Sequence, residues 1–378
     1  MRPEQHDPSR LTDRIATDMS RRLVDRLAAD RDQRRIWPSR VLVRLLASVV
    51  HLTTVGLLVG GVWLLVTGDT WPLRTLGGLG VVTAVALVPR LPPRPGGVAM
   101  VDRAHAPELF ALLEEVATTV DSPALDAVGF YPDFNAAALT CRRNRRVLVL
   151  GAPAWVACSP QAKVALLAHE LGHFANGDGR QDRYVGSAVH AVAFWIDVFD
   201  PREPLLSNGF VSNAMVRIVT WPVRMVLAGF LHLIWLADRP GHRRQEHYAD
   251  LASVLAAGSE GAVDLLETLL AGVAIEVVCD RAASARGEGS MRSEIAAHMA
   301  TYDADARRRN RQRAAAERVR IDDSHPPTAE RLRLVESVGA HPTAAVVLDA
   351  DRAAQLDAEL GKALDAELAR YADIRRGW

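Results

Sequence analysis

Apolar positions change their spacing several times along the chain, and each change marks an element. In the first 40 residues Leu11, Ile15, Leu23 and Leu27 recur at helical spacing among arginines and aspartates. That pattern predicts a charged, solvated amphipathic helix in a cytosolic N-terminal segment, 1–40, not a secretory signal. From Leu45 to Val66 no Asp, Glu, Lys or Arg occurs. At about 1.5 Å per residue such a helix is long enough to cross hydrocarbon. Thr67-Gly68-Asp69-Thr70 reads as a turn, and Trp71–Val88 as a second apolar stretch with Arg74 near enough to its end to snorkel. Trp63 and Trp71 flank the turn as interfacial aromatics do. Residues 41–90 are therefore expected to form a transmembrane helical hairpin. Arginines 34, 35, 40 and 44 precede it, and Arg90, Arg94 and Arg103 follow it, while the turn holds one acid and no base. Excess arginine on the cytosolic side places both ends inside the cell (plasma or inner) membrane and the turn outside.

Pro92-Pro93-Arg94-Pro95-Gly96-Gly97 is a linker, 91–100, leading away from the hairpin. Beyond it Pro107–Val120 has a helical apolar period, and Val128–Tyr131 and Arg146–Leu150 are short strand candidates. Ser159 and Pro160 suit the cap and first turn of a helix whose Val164, Leu166 and Leu167 would bury it. Tyr184–Phe199 and Val211–Ala237 are apolar and helical but carry His190, Asp197, Arg217 and Arg224, and Pro222 would kink the second. Within 184–237 two readings stay open: further membrane helices, or amphipathic helices roofing a cleft. Gly261–Val278 reads as a core helix and the arginine-rich Asp303–Arg320 as exposed. In the C-terminal tail, 339–378, leucines fall every four residues over Asp349–Arg370, which suits a docking or surface helix.

Composition narrows this picture in three ways. The 378 residues hold 45 Lys+Arg against 45 Asp+Glu, so no net positive charge points to nucleic acid. Lys163 and Lys362 are the only lysines; arginine supplies the other cations. Cys141, Cys158 and Cys279 are scattered and odd in number, and read as reduced or buried thiols, not as a disulfide framework or a metal knuckle.

The chemistry concentrates in His169-Glu170-Leu171-Gly172-His173. Residues four apart share a helix face, so both imidazoles can meet one metal ion. Zinc accepts neutral imidazole nitrogen, and the glutamate beside the first histidine can take a proton from water that the metal has acidified. Two unrelated histidines on a surface helix would show the same five residues. Gly172 has no side chain to crowd such a site, and its cost in helix propensity hints at a packing or functional reason. A third ligand is on offer at Arg243-Arg244-Gln245-Glu246-His247-Tyr248-Ala249-Asp250. Glu246 and Asp250 lie on one face, where Glu246 could close a metal site and Asp250 accept a ring N–H, with Arg243 as counter-charge. The same spacing equally describes a solvated charged helix with ordinary ion pairs.

Taken together, His-Glu-Leu-Gly-His with Asn176-Gly177-Asp178, then Arg243-x-x-Glu246-x-x-Ala249-Asp250, then Ser324-His325-Pro326-Pro327-Thr328-x-x-Arg331, resembles the membrane zinc endopeptidases of the HtpX and CAAX prenyl protease family. The resemblance spans 101–338 and follows the family's motif order. It implies a mainly α (α+β) fold: a zincin-like metalloprotease domain with a small edge sheet, attached to the transmembrane hairpin. It implies one Zn²⁺ per chain held by His169, His173 and Glu246, with Glu170 as catalytic base. Asp250, Arg243 and Asp178 would support the ligands, and His325 and Arg331 would lie near the reacting groups. Asn135 and Ala136 resemble the segment that lines the substrate cleft, although the aromatic often found there is missing.

The expected function is hydrolysis of peptide bonds, in misfolded or membrane proteins, by a multi-pass enzyme of the cell membrane whose catalytic domain faces the cytoplasm. Polypeptide substrates and the lipid bilayer are its expected partners. Two alternatives are a CAAX-type processing protease and a non-catalytic membrane scaffold with a structural metal site.

Overall fold

A long apolar run closed by glycine becomes helix α1 (Pro38–Thr67), and the run after the turn becomes α2 (Trp71–Leu87). The computed structural model describes residues 38–88, 96–199, 210–284, 290–316, 326–338 and 343–376. The expected N-terminal amphipathic helix, part of the proline linker and His325 lie outside these residues. Arg74 closes the hairpin turn by donating Nε to the Gly68 carbonyl at 2.9 Å. The two helices meet backbone to backbone at Gly61 and Gly77. A Cβ on Gly77 would stand 2.6 Å from the Gly61 carbonyl oxygen, so only glycine permits this approach.

The chain divides into two compact units. One gathers residues 34–91 and 180–242, so α6 (Asp178–Phe199) and the first part of α7 (Phe210–Leu270) belong largely with the hairpin. Its buried apolar set is small: Val43, Ala47, Val185, Ala188, Ile234 and Ala237. Polar groups also join α1 to α6: Ser48 Oγ lies 2.7 Å from the Tyr184 hydroxyl, and His51 Nε2 is 3.0 Å from the Tyr184 carbonyl oxygen. The large apolar side chains point outward instead; Leu52, Val66, Trp71, Ile218 and Val226 are each about 70% exposed or more. By length and composition Arg40–Thr67 and the helix from Ile218 could each cross a membrane, while α2 is apolar but shorter. The charged α6 does not meet that test.

The other unit comprises residues 92–179 and 243–378. Its four-stranded sheet has the order β1-β2-β4-β3. The strands are β1 (Ala99–Val101), β2 (Ala127–Tyr131), β3 (Ala136–Cys141) and β4 (Arg145–Gly151). β2 and β4 run parallel, and the outer strands pair antiparallel. β4 is apolar on both faces because both are covered. Leu148 and Leu150 enter the main core, and Val147 and Val149 pack with Ala127 and Cys141 on the reverse side. β3 therefore lies at an edge, bonded to one neighbour.

Helices α3 (Pro107–Thr119), α4 (Ala152–Ala157) and α5 (Pro160–Ala175) supply most of the main core around Trp155, Leu109, Leu112, Leu167 and Leu171. Ser159 caps α5 by accepting the Ala162 N–H at 3.2 Å. Beyond α7 come α8 (Gly272–Ser284), α9 (Met291–Ala300), α10 (Ala304–Ala316), α11 (Thr328–Ser337) and α12 (Ala350–Arg376). The core does not stop at residue 338. Leu356, Leu360, Leu364 and Leu368 of α12 are buried in it, each worth at most about 1.5–3 kcal/mol of burial. The Glu359 carboxylate of α12 also accepts the free Glu108 N–H at the start of α3, 3.0 Å away. Lys163, buried on α5, reaches Asp357 of α12 at 2.9 Å. The arginine-rich α10 is largely exposed, as its composition predicts, but two of its arginines are half-buried in ion pairs. Arg307 pairs with Asp264 and Glu267, and Arg311 lies 2.6 Å from both Glu267 and Glu336. Those acids hold α10 against α7 and α11.

Candidate metal centre

Helix α5 delivers His169, Glu170 and His173, and α7 delivers Glu246 and Asp250. Gly172 sets how closely the two helices approach. An added Cβ there would stand 3.0 Å from Ala252 Cβ and 3.2 Å from Ala249 Cα, so the missing side chain is the contact surface. Gly258 interrupts α7 with φ 75°, ψ 165°, a conformation open to glycine.

His169 Nε2 lies 3.7 Å from Glu246 Oε2, and His173 Nε2 lies 3.7 Å from Glu246 Oε1. The carboxylate thus faces both imidazoles without closing a hydrogen bond to either. Tetrahedral ligands about 2.1 Å from one ion stand roughly 3.4 Å apart; one ligand atom from each of these three side chains lies within 4.8 Å of the other two, near enough to share an ion. Among the described residues they are the one group of three such side chains close enough to share an ion. His169, Glu170 and Glu246 are buried, and His173 is more open.

A second layer of charge lies behind His169. Its Nδ1 is 3.2 Å from Asp250 Oδ1, so the carboxylate can accept the ring N–H and leave Nε2 as the metal-facing lone pair. Arg331, from α11, grips the same carboxylate, with Nη2 at 2.7 Å from Oδ1 and Nε at 2.9 Å from Oδ2. Its Nη1 is 3.8 Å from Glu246 Oε2. Burial alone would pull the Arg331 guanidinium down. Asp250, Glu246 and Glu170 raise it above its ordinary value instead, so it stays charged. Arg331 is thus a buried cation hydrogen-bonded to Asp250 and close to Glu246; Arg243, the expected counter-charge, is also buried, on α7.

The remaining expected site residues lie as follows. Asn135 and Ala136 stand where the chain enters β3. Asn135 Oδ1 accepts the Ala136 N–H at 2.8 Å, and the Asn135 carbonyl accepts the Gly151 N–H at 2.7 Å. Asp178 opens α6, but its side chain is outside what is described, as is His325. Tyr131, at the end of β2 opposite Gly151, is an addition that sequence reasoning did not make. Burial, with the charges of Asp133 and Glu170, pushes its phenol above the ordinary range, which places it in the field of the centre. Nothing in a strand-ending tyrosine distinguishes that position in advance.

An HExxH helix crossed by a second helix bearing a glutamate and an aspartate defines a candidate centre of the HExxH metal-binding class. The chain belongs to peptidase family M48, whose profile matches residues 103–338 and so takes in all of these groups. No curated protein matches the chain. Among solved structures it matches the crystal structure of S. mikatae Ste24p at 15% identity and a TM-score of 0.34, covering 79% of this chain and 66% of that one. That likeness is too distant to argue from.

Proposed function

We propose that the chain is a membrane-embedded zinc endopeptidase that hydrolyses peptide bonds of unfolded or membrane polypeptides on the cytoplasmic side. The carrying observation is the three-ligand group His169, His173 and Glu246, with Asp250 at the back of His169 and Glu170 beside it. Three protein ligands leave a fourth position open, as catalytic zinc requires and structural zinc does not.

Zinc bound there would polarise the scissile carbonyl and lower the pKa of water. Glu170 accepts the proton of the attacking water and returns it to the leaving amine. Asp250 holds the His169 tautomer, and Arg331 keeps Asp250 ionised and in place. That bonding suits Arg331 to orient a ligand, which leaves oxyanion stabilisation to His325. The substrate adds as a further strand to the open edge of β3, passing Asn135 and Ala136. The apolar exterior of α1, α2 and the first part of α7 supports membrane insertion, since a surface of that extent is unstable against water. The arginines flanking the hairpin support a cytoplasmic catalytic unit.

The test is metal content and casein hydrolysis by the detergent-purified protein, before and after chelation, beside Glu170→Gln. Glu170→Gln keeps the shape but cannot take the proton, so zinc is retained while hydrolysis falls at least about a hundredfold. Chelation should abolish hydrolysis and zinc restore it. Wild-type cleavage by the glutamine variant would refute the mechanism.

A further inference from the structure

Strand β3 ends in the run Arg142-Arg143-Asn144-Arg145-Arg146, through which the chain turns back into β4. Arg143 and Asn144 both occupy the left-handed region, with φ 61° and 58°. The three-residue loop 142–144, between the paired Cys141 and Arg145, thus holds two consecutive left-handed residues, a backbone that favours Gly, Asn or Asp. Asparagine tolerates this backbone; an arginine at the first of the two pays in stability for a side chain the turn does not need.

The arginines of the turn are not equally engaged. Arg146 donates Nε to the Ala124 carbonyl at 2.7 Å and its backbone N–H to Asp126 at 2.8 Å, so it has a structural task. The side chains of Arg143 and Arg145 are exposed and make no hydrogen bond or ion pair among the described residues. Arg145 pairs with Cys141, the last residue of β3. β3 itself, Ala136–Cys141, has neither charge nor proline along an unpaired edge. Such an edge invites another strand, and here all the charge is gathered at one end of it.

That end is the far one. β3 begins next to the Tyr131–Gly151 pair, where the field of Glu170 is felt, and α5 packs against the strand. Six residues at about 3.3 Å each carry an added strand roughly 20 Å, from the candidate centre to the turn. A guanidinium recognises carboxylate through paired N–H donors. We propose that Arg143 and Arg145 select extended polypeptides bearing Asp or Glu about five to seven residues from the scissile bond. This rests on the peptidase reading of the centre and on substrate pairing with β3.

Matched unstructured peptides test it. They share one cleavage sequence and carry Glu-Glu or Gln-Gln about six residues away, on one side or the other. Two exposed ion pairs support a preference of about three- to tenfold in kcat/KM for one Glu-Glu peptide, expressed in KM and lost at high salt. The Arg143→Asn/Arg145→Gln double variant should no longer distinguish the peptides. Arg143→Asn alone should unfold at a higher temperature than the wild type, which separates lost recognition from lost fold. Equal cleavage of all peptides by the wild type, or a preference that survives in the double variant, overturns the proposal. So does a loss in the double variant that follows the anionic lipid content of the vesicles instead of peptide charge, which would make the turn a headgroup contact. If the wild type cleaves none of the peptides or casein, the peptidase reading fails, and this proposal with it.

Discussion

Replacing Gly172 by alanine separates the stability of the helix crossing from the integrity of the metal centre. The added methyl would stand 3.0 Å from Ala252 Cβ and 3.2 Å from Ala249 Cα. Carbon atoms settle at about 3.5–4.0 Å, so α5 and α7 must part locally by roughly half an ångström. Over-packing of this kind costs about 1–3 kcal/mol. Removing glycine from a helix interior returns about 1 kcal/mol. The net loss, about 0–2 kcal/mol, leaves the protein folded. The metal centre is less forgiving, because His169 and His173 ride on α5 while Glu246 rides on α7, one turn before Ala249. Ligand distances hold to about ±0.2 Å, smaller than the forced displacement. Gly172→Ala should thus weaken zinc binding at least about tenfold, while the chelated protein unfolds within a few degrees of the wild type. Competition against a chromophoric chelator reads the affinity, and thermal unfolding with and without chelator reads the fold. Wild-type affinity in Gly172→Ala, and again in Gly172→Val, would show that the crossing distance does not set the centre.

Glu246→Ala should greatly reduce zinc content whereas His247→Ala, whose ring nitrogens have no hydrogen-bond partner among the described residues and which is not in the ligand group, should leave it nearly unchanged; the reverse result in metal analysis would exchange their roles. Asp250→Ala should fall between, losing about ten- to a hundredfold in zinc affinity, and an unaltered affinity would remove its orienting role. Gly77→Leu should lower the unfolding temperature in detergent because its Cβ meets backbone of α1, whereas Gly78→Leu, with only a Leu65 methyl at 3.8 Å, should be tolerated. A reporter active only outside the membrane should be silent at residue 100 and active at Asp69, and the opposite pattern would invert the topology.

Elements whose apolar period is unambiguous were legible in the sequence. Val128–Tyr131 and Arg146–Leu150 are the centres of β2 and β4, and Ser159 caps α5. The face shared by Glu246 and Asp250 was also visible, since helix spacing alone sets it. What brings that face to His169 was not, because it depends on a crossing between helices seventy residues apart. The role of Arg331 was obscure for the same reason. From the chain it stands beside His325; in space it belongs to Asp250. Tertiary context likewise decides α12, whose leucine stripe fits a surface helix as well as the core it enters. The charges in α6 and α7 left two readings of 184–237, and the exposure of Ile218, Trp221 and Val226 favours apolar surroundings for the first part of α7. Arg307 and Arg311 of the otherwise exposed α10 read as solvated because their acidic partners lie far away in sequence.

The scarcity of lysine gives the buried Lys163 a practical consequence. Its ammonium is enclosed between the Trp155 ring, 5.4 Å away, and Asp357 of α12. Lys362, the other lysine, is exposed on that same helix. An amine-specific reagent therefore meets one reactive side chain in the intact molecule. A second becomes available only when α12 lifts from α5, so the labelling ratio of the two lysines reports the opening of the core in unmodified protein, without an introduced probe.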